Sequence, residues 1–265
     1  MISKIIINVD NIDYLEDYRK VGLITFLFPL DGYSIGYKAY SIDEINKIDV
    51  SNKYVLLNRI LDCKDIDYLK DDIDKLKGIK GIIFEDIGVY NILKDRKDIE
   101  LILFQNHFNC NTLSINFWLD RVNSVVVDNE LTYEELESIT KNAKNEVILH
   151  LYGYNQVMYS RRRLLNNWSK EFNIDYKDTN VITDKATKVR FRAKESEYGT
   201  VMYSDKIFNG RRLLNLSNVK YYYVNTSMID HKDIMEYLND INRDLKDNED
   251  EGFLDKETIY KLKER

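Results

Sequence analysis

Arg161, Arg162 and Arg163 form an unbroken run beside Tyr159, Ser160 and Trp168, the most individual stretch of the chain. A guanidinium presents a rigid fork of donors that matches phosphate or carboxylate. The run therefore reads as an anion clamp, with Tyr159, Arg162 and Arg163 as substrate-binding candidates. Lys185, Lys188, Arg190, Arg192, Arg211 and Arg212 follow downstream. A solvated face balanced by nearby Asp and Glu explains the same residues. Successive arginines on a helix also diverge, so at most one or two can meet a single ligand.

A second set of candidates lies where apolar runs end: Asn58, Glu85 with Asp86, Asn106, Asn129 with Glu130, and His150 with Tyr152. Carboxylate and imidazole are the usual proton-transfer groups, which makes Glu130 and His150 the catalytic candidates. Asn58 and Tyr152 are candidates for binding substrate. Helix capping competes at each junction, because Asp and Asn favour such positions. Glu130 escapes that explanation best, since Asn129 and a Thr132–Glu135 capping box already serve the helix that follows. His150 has the alternative of a hydrogen-bonded structural role. No triad spacing, HExxH or paired-His metal motif occurs.

The elements that must position these residues are short β-branched runs, each followed by an amphipathic helical pattern. Strands are expected at Lys4–Asn8, Leu23–Phe28, Tyr54–Asn58, Gly81–Glu85, Leu101–Gln105, Ser124–Asp128, Val147–Leu151 and Lys220–Val224. Their near-continuous apolarity suits parallel strands covered on both faces. Helical patterns include Ile66–Leu76, Leu113–Leu119, Tyr133–Lys141 and Lys232–Ile241, and Asp43 before Glu44 suggests another helix start. About eight βα units in roughly 250 residues predict an α/β fold, a (β/α)8 TIM-like barrel. A doubly wound sheet satisfies the same pattern, because the pattern does not show closure. Residues 152–218 are too long for one connection. Within them Lys188–Lys194 alternates, Glu197–Thr200 reads as a turn and Val201–Tyr203 as a returning strand. This is a β-hairpin insertion between the seventh and eighth strands. One barrel over 1–246 and a charged tail or helix over 247–265 are expected.

Composition narrows the function classes. Gly 10 and Pro 1 argue against an all-β sandwich, Pro-rich linkers and Gly-rich phosphate loops. Two cysteines, Cys63 and Cys110, cannot build a disulfide framework or a four-thiolate metal site. The opening residues lack the basic flank and cleavage site of a signal peptide, and no apolar stretch approaches the ~20 residues that span a bilayer. A cytoplasmic protein without a membrane partner is expected. A formal net charge of -6 leaves room for a local basic patch.

The segment from Gly153 to Asn167 resembles the U32 family, historically named collagenase-like peptidases. Its members carry a strand ending in His-Gly and then roughly G-[SA]-x-C-x4-G-x-C-x-L-S-N. Gly153, Tyr159, Ser160, Arg162, Leu165 and Asn167 fall in register with that pattern. Asn58 after Tyr54–Leu57, Asp86-Ile87-Gly88, Phe117-Trp118, Asn123–Val127 with Glu130-Leu131-Thr132, and Glu197–Thr200 with Tyr203-Ser204 extend the likeness over most of residues 50–225.

The resemblance implies a barrel, and in the family an iron–sulfur cluster on four cysteines. Two of those positions are Gln156 and Arg163 here, so no cluster and no other cofactor is expected. The motif histidine is replaced by Tyr152, with His150 two residues earlier. Better-understood relatives resemble hydroxylation factors for RNA bases or quinones, sometimes working in pairs. By that resemblance the chain is a cluster-less barrel that binds an anionic small molecule or an RNA nucleotide. Its partners would be RNA and a cysteine-bearing U32 paralogue in RNA modification. The alternatives are a U32-type peptidase using Glu130 or His150 as general base, and a structural remnant.

Overall fold

A computed structural model describes residues 1–105 and 107–256. The first half of the chain alternates strand and helix: β1 (Ile5–Asn8), α1 (Leu15–Lys20), β2 (Thr25–Pro29), α2 (Ile42–Lys47), β3 (Asn52–Leu57), α3 (Cys63–Asp74), β4 (Gly81–Phe84) and α4 (Ile87–Leu93). The alternation continues through β5 (Glu100–Phe104), α5 (Thr112–Leu119), β6 (Ser124–Val126), α6 (Tyr133–Asn142) and β7 (Val147–Ser160). Then come α7 (Leu164–Phe172), β8 (Thr179–Thr183), β9 (Arg190–Ser196), β10 (Gly199–Asn209), β11 (Val219–Val224), α8 (His231–Asn239) and β12 (Glu249–Asp250).

Strands β1 to β7 pair in sequence order, all parallel. β11 then pairs in parallel with both β7 and β1. That double pairing closes an eight-stranded barrel and eliminates the doubly wound alternative. Closure also explains the unbroken apolar runs. Ile6, Leu27, Leu56, Ile83, Ile102, Val126 and Ile148 fill the interior, while Ile5, Phe26, Val55 and Ile82 belong to the layer under the helices. Each strand thus buries both faces, at about 1.5–3 kcal/mol per large apolar side chain. Below the interior layer, the Tyr54 hydroxyl donates to Glu100 at 2.7 Å and Lys220 pairs with Glu100 at 2.6 Å.

Local chemistry sets the helix starts. Ser41 with Glu44, Asp62 with Asp65 and Thr132 with Glu135 are capping boxes, and Asp86 and Asn111 cap α4 and α5. The Thr132 box was legible in sequence. The start expected at Asp43 is two residues late, because Ser41 supplies the cap and Asp43 lies in the first turn.

The hairpin expected between the seventh and eighth strands is β9–β10, turning at Glu197 and Tyr198. It belongs to a larger sheet than the sequence suggested. β7 does not stop at Leu151 but runs on to Ser160, where it pairs antiparallel with β10; β10 pairs with β9, and β9 with the edge strand β8. At the crossing, Gly153 adopts φ +127°, and a Cβ there would lie 2.3 Å from the Asn225 carbonyl oxygen. Only glycine permits that approach. The sheet lies over the C-terminal mouth of the barrel. Tyr203 donates to the Gly36 carbonyl at 3.1 Å, and the Arg59 guanidinium sits 4.3 Å above the Tyr198 ring.

Helix α7 has no side-chain cap of its own. Instead the Glu195 carboxylate reaches from β9 to accept from the Leu165 and Asn166 amides at 2.7 and 3.1 Å and from the Thr200 hydroxyl at 2.7 Å. Beyond α8, Glu249 of β12 is buried and accepts from Tyr152, Asn209 and Arg243. Residues 247–256 therefore dock through a buried carboxylate. Residues 257–265, the rest of the expected tail, lie outside the described residues.

Replacing Glu195 with alanine should strand two helix amides and cost about 2 kcal/mol of stability. Denaturant unfolding at neutral pH checks this, and an unchanged midpoint would contradict the capping role.

Candidate functional site

The strand ends converge beneath the insertion sheet, and the mouth there is nearly full. Tyr37, Phe104, His150, Tyr154, Tyr223 and Asn225 enclose a cavity of about 20 Å³. That is space for a single water. His150 lies on its wall, facing inward like Ile148. Its Nε2 stands 3.0 Å from the Tyr152 carbonyl and its Nδ1 stands 3.3 Å from the Asn129 amide nitrogen. The carbonyl must accept, so Nε2 carries the proton and Nδ1 accepts from Asn129. Burial pushes the imidazole down to about 4 despite these bonds. His150 is thus a neutral ring with both nitrogens engaged.

Tyr152 leaves the site altogether. A register shift between β7 and β11 after Tyr223–His150 turns it outward, where it stacks on Tyr237 at 3.8 Å and donates to Glu249. Asn58 is also committed, its Oδ1 accepting from the Ile35 amide and its Nδ2 donating to the Ile35 carbonyl, each at 3.0 Å. It pins the loop after β2. Asn106 lies outside the described residues.

Glu130 is exposed beside the mouth, with Oε2 3.5 Å from His107 Nδ1. It borders a cleft of about 270 Å³ with Phe191, Arg190, Lys206 and Phe253. Glu130 and His150 therefore line different pockets, His150 a space for a single water and Glu130 a larger cleft.

Glu85 was among the strand-end candidates but was not preferred over Glu130. It follows β4 on the inward face, two residues after Ile83. Its Oε2 is enclosed with no hydrogen-bond partner. Burial, reinforced by the neighbouring Asp86, pushes the carboxyl from 4.5 up to about 8. The available signal was the one applied to Glu130: Asp86 caps α4 by accepting from Gly88 at 2.7 Å, leaving Glu85 without a capping duty.

The arginine run occupies the turn before α7, where its members separate. Arg161 approaches Asp62 at 3.9 Å, and Arg163 approaches Glu195 at 3.5 Å while lying 5.7 Å over the Tyr176 ring. Arg162 is exposed and its side chain makes no ion pair among the described residues. Tyr159 donates weakly to the Tyr198 carbonyl at 3.4 Å. The clamp is thus one free guanidinium, not three. The surrounding charge is broader than the run: residues 152–218 hold thirteen Lys and Arg against seven Asp and Glu, a formal +6 inside a chain of -6. Trp168, Phe172 and Tyr176 are exposed on the same insertion.

The donor set does not fit the four-cysteine cluster that the resemblance implies. Gln156 stands on the cavity wall, Arg163 faces Glu195, and Cys63 and Cys110 are exposed at the starts of different helices. Such clusters need thiolates. Among the described residues, no three His, Cys, Asp or Glu converge to hold a metal, and no helix is long and apolar enough to cross a membrane.

The family model of peptidase family U32 matches residues 42–242. No curated protein matches the chain in sequence. Among solved structures, a U32 peptidase aligns at 12% identity with a TM-score of 0.46, over 57% of this chain and 69% of that one. A chitinase from Chromobacterium violaceum aligns at 9% identity and 0.44, over 90% and 98%. The spore cortex-lytic enzyme SleL of Bacillus megaterium aligns at 10% and 0.43, over 89% and 72%.

Glu85 gives a pH signature. Its folded-state value of about 8 lies above the ordinary 4.5, so the folded state favours the protonated form. Stability from this group is complete below 4.5 and is lost as pH rises through about 8. Glu85→Gln should flatten that fall and raise the melting temperature above pH 8. Parallel pH profiles of wild type and variant would sink the assignment.

Proposed function

Because the chain belongs to peptidase family U32, we propose that it is a cluster-less member of that family whose insertion binds the phosphates and bases of single-stranded RNA. The single observation that carries this reading is the formal +6 of residues 152–218 within a chain of -6, on an insertion with exposed aromatic side chains. Cations that track a phosphate backbone, together with aromatic faces on which bases stack, form the usual surface for single-stranded nucleic acid. Arg162 is free to meet a phosphate, Arg163 lies over Tyr176, and Trp168 is 46% exposed on the first turns of α7.

The barrel contributes position in this reading, not chemistry. Burial holds His150 neutral beside a space for one water, and the cluster's thiolates are lacking. An accessory role beside a cysteine-bearing U32 paralogue acting on the same RNA follows, with this chain holding substrate and the paralogue supplying the reaction. The open cleft beside Glu130 would take a small anionic ligand or one flipped nucleotide between Phe191 and Phe253.

One observation favours a second reading, a hydrolase. Glu130, beyond β6, and His107, beyond β5, form an exposed carboxylate–imidazole pair 3.5 Å apart, which suits a general base.

Fluorescence anisotropy with a labelled RNA of about 12 nucleotides tests the first reading. Binding should weaken steeply with salt, and the double variant Arg162→Ala, Trp168→Ala should lose about tenfold or more in affinity. Equal affinity of variant and wild type would remove it. Cleavage of casein that disappears in Glu130→Gln would put the hydrolase first.

A further inference from the structure

The sheet above the mouth ends at β8, which pairs with β9 and with no other strand among the described residues. Edge strands present a row of unpaired donors and acceptors, and proteins usually blunt them with Lys, Pro or a bulge. Thr179-Asn180-Val181-Ile182-Thr183 carries none of these. All but Asn180 are exposed.

The ladder shows which backbone groups are free. The Glu195 amide donates to the Asp178 carbonyl at 2.7 Å, and the Asp184 amide donates to the Val189 carbonyl at 2.9 Å. Hydrogen-bonded pairs recur at every second residue of an antiparallel ladder. Asn180 and Ile182 therefore complete the bonding to β9, while Thr179, Val181 and Thr183 turn their N–H and C=O outward. Among the described residues, the Val181 amide alone of these has a partner, the side chain of its neighbour Asn180 at 2.9 Å.

An apolar groove of about 410 Å³ runs beside that edge, lined by Leu164, Leu165 and Trp168 of α7 and by Ile182 of β8. A two-fold axis perpendicular to the sheet keeps each face on its own side. A second copy paired along β8 therefore brings its own α7 and groove against this one. One operation satisfies the free backbone groups and covers the apolar groove.

Charge selects the register. With Val181 on the axis, Asp178 would oppose Asp184 of the second copy, and Lys177 would oppose Lys185. Like charges directly opposed destabilise a strand pair. With Asn180 on the axis, Asp178 opposes Ile182 and Lys177 opposes Thr183. Thr179 and Val181 then exchange backbone bonds across the axis. The Asp175 end of one strand lies beside the Lys185 end of the other, which adds an attraction at both ends.

We propose that the chain pairs with a second copy of itself through β8, antiparallel about Asn180, so that one continuous sheet crosses both insertions. This interface goes beyond RNA binding and does not rest on it.

Sedimentation velocity of the full chain from about 1 to 200 µM should show a concentration-dependent dimer. A monomer throughout overturns the proposal and leaves the edge to a strand of another protein. The Val181 amide takes no part in β8–β9 bonding, so proline is tolerated there but removes an outward donor. Val181→Pro should keep the wild-type circular dichroism and weaken dimerisation about tenfold or more. Asp175→Lys should weaken the dimer about threefold or more, and adding Lys185→Asp should restore it. Equal dimerisation of wild type and these variants overturns the pairing. RNA affinity is measured on the Val181→Pro chain, which retains Arg162 and Trp168, so either reading can fail alone.

Discussion

Strand β7 carries two obligations, and the rest of the structure depends on both. Its first residues pair with β6 and β11 to close the barrel, while its last residues pair with β10 to begin the sheet above the mouth. The two halves meet where β7 passes Asn225, a passage open only to glycine. Because one continuous strand serves both layers, the insertion sheet is tied to the barrel through a shared backbone. Its position over the mouth is fixed by the β7–β10 ladder, which continues from the strand that closes the barrel. Tyr203 on Gly36 and Arg59 on Tyr198 then hold its far side.

That arrangement sorts the polar groups. Carboxylates that join elements are fully partnered: Glu195 to the amides of α7, Glu249 to Tyr152, Asn209 and Arg243, Glu100 to Tyr54 and Lys220. Such bonds offset the cost of burying charge. Two of the enclosed groups left without partners lie just beyond strand ends at the mouth. Glu85 and Asp10 each have an enclosed oxygen with none. Unpaired polar groups at strand ends of a barrel are where this architecture places its chemistry. His150 shows the opposite outcome, an imidazole with both ring nitrogens hydrogen-bonded.

Residues of a barrel strand alternate between two apolar environments, so the runs Lys4–Asn8 and Tyr54–Asn58 were readable as buried parallel strands. The hairpin was readable because Lys188–Lys194 alternates over only one buried face. The extension of β7 to Ser160 was not, since its residues gain strand geometry only from pairing with β10, some forty residues later. Glu85 and Glu130 were both nominated at strand ends, and the capping argument that favoured Glu130 covers Glu85 equally, because Asp86 caps α4. The separation of the three arginines was partly foreseeable from the divergence of successive side chains. Their partners, Asp62 and Glu195, come from distant parts of the chain.

Sequence by itself determined the family, the βα rhythm, the insertion and the lack of a four-thiolate set, because these follow from residue types in local order. Tertiary structure decided which of those residues remain available. Closure of the barrel, the turn of Tyr152 outward and the commitment of Asn58 to Ile35 are long-range pairings with no local signature. So is the burial that shifts Glu85 and His150. Availability depends on what lies across the fold from a side chain, and only the folded chain brings those partners together.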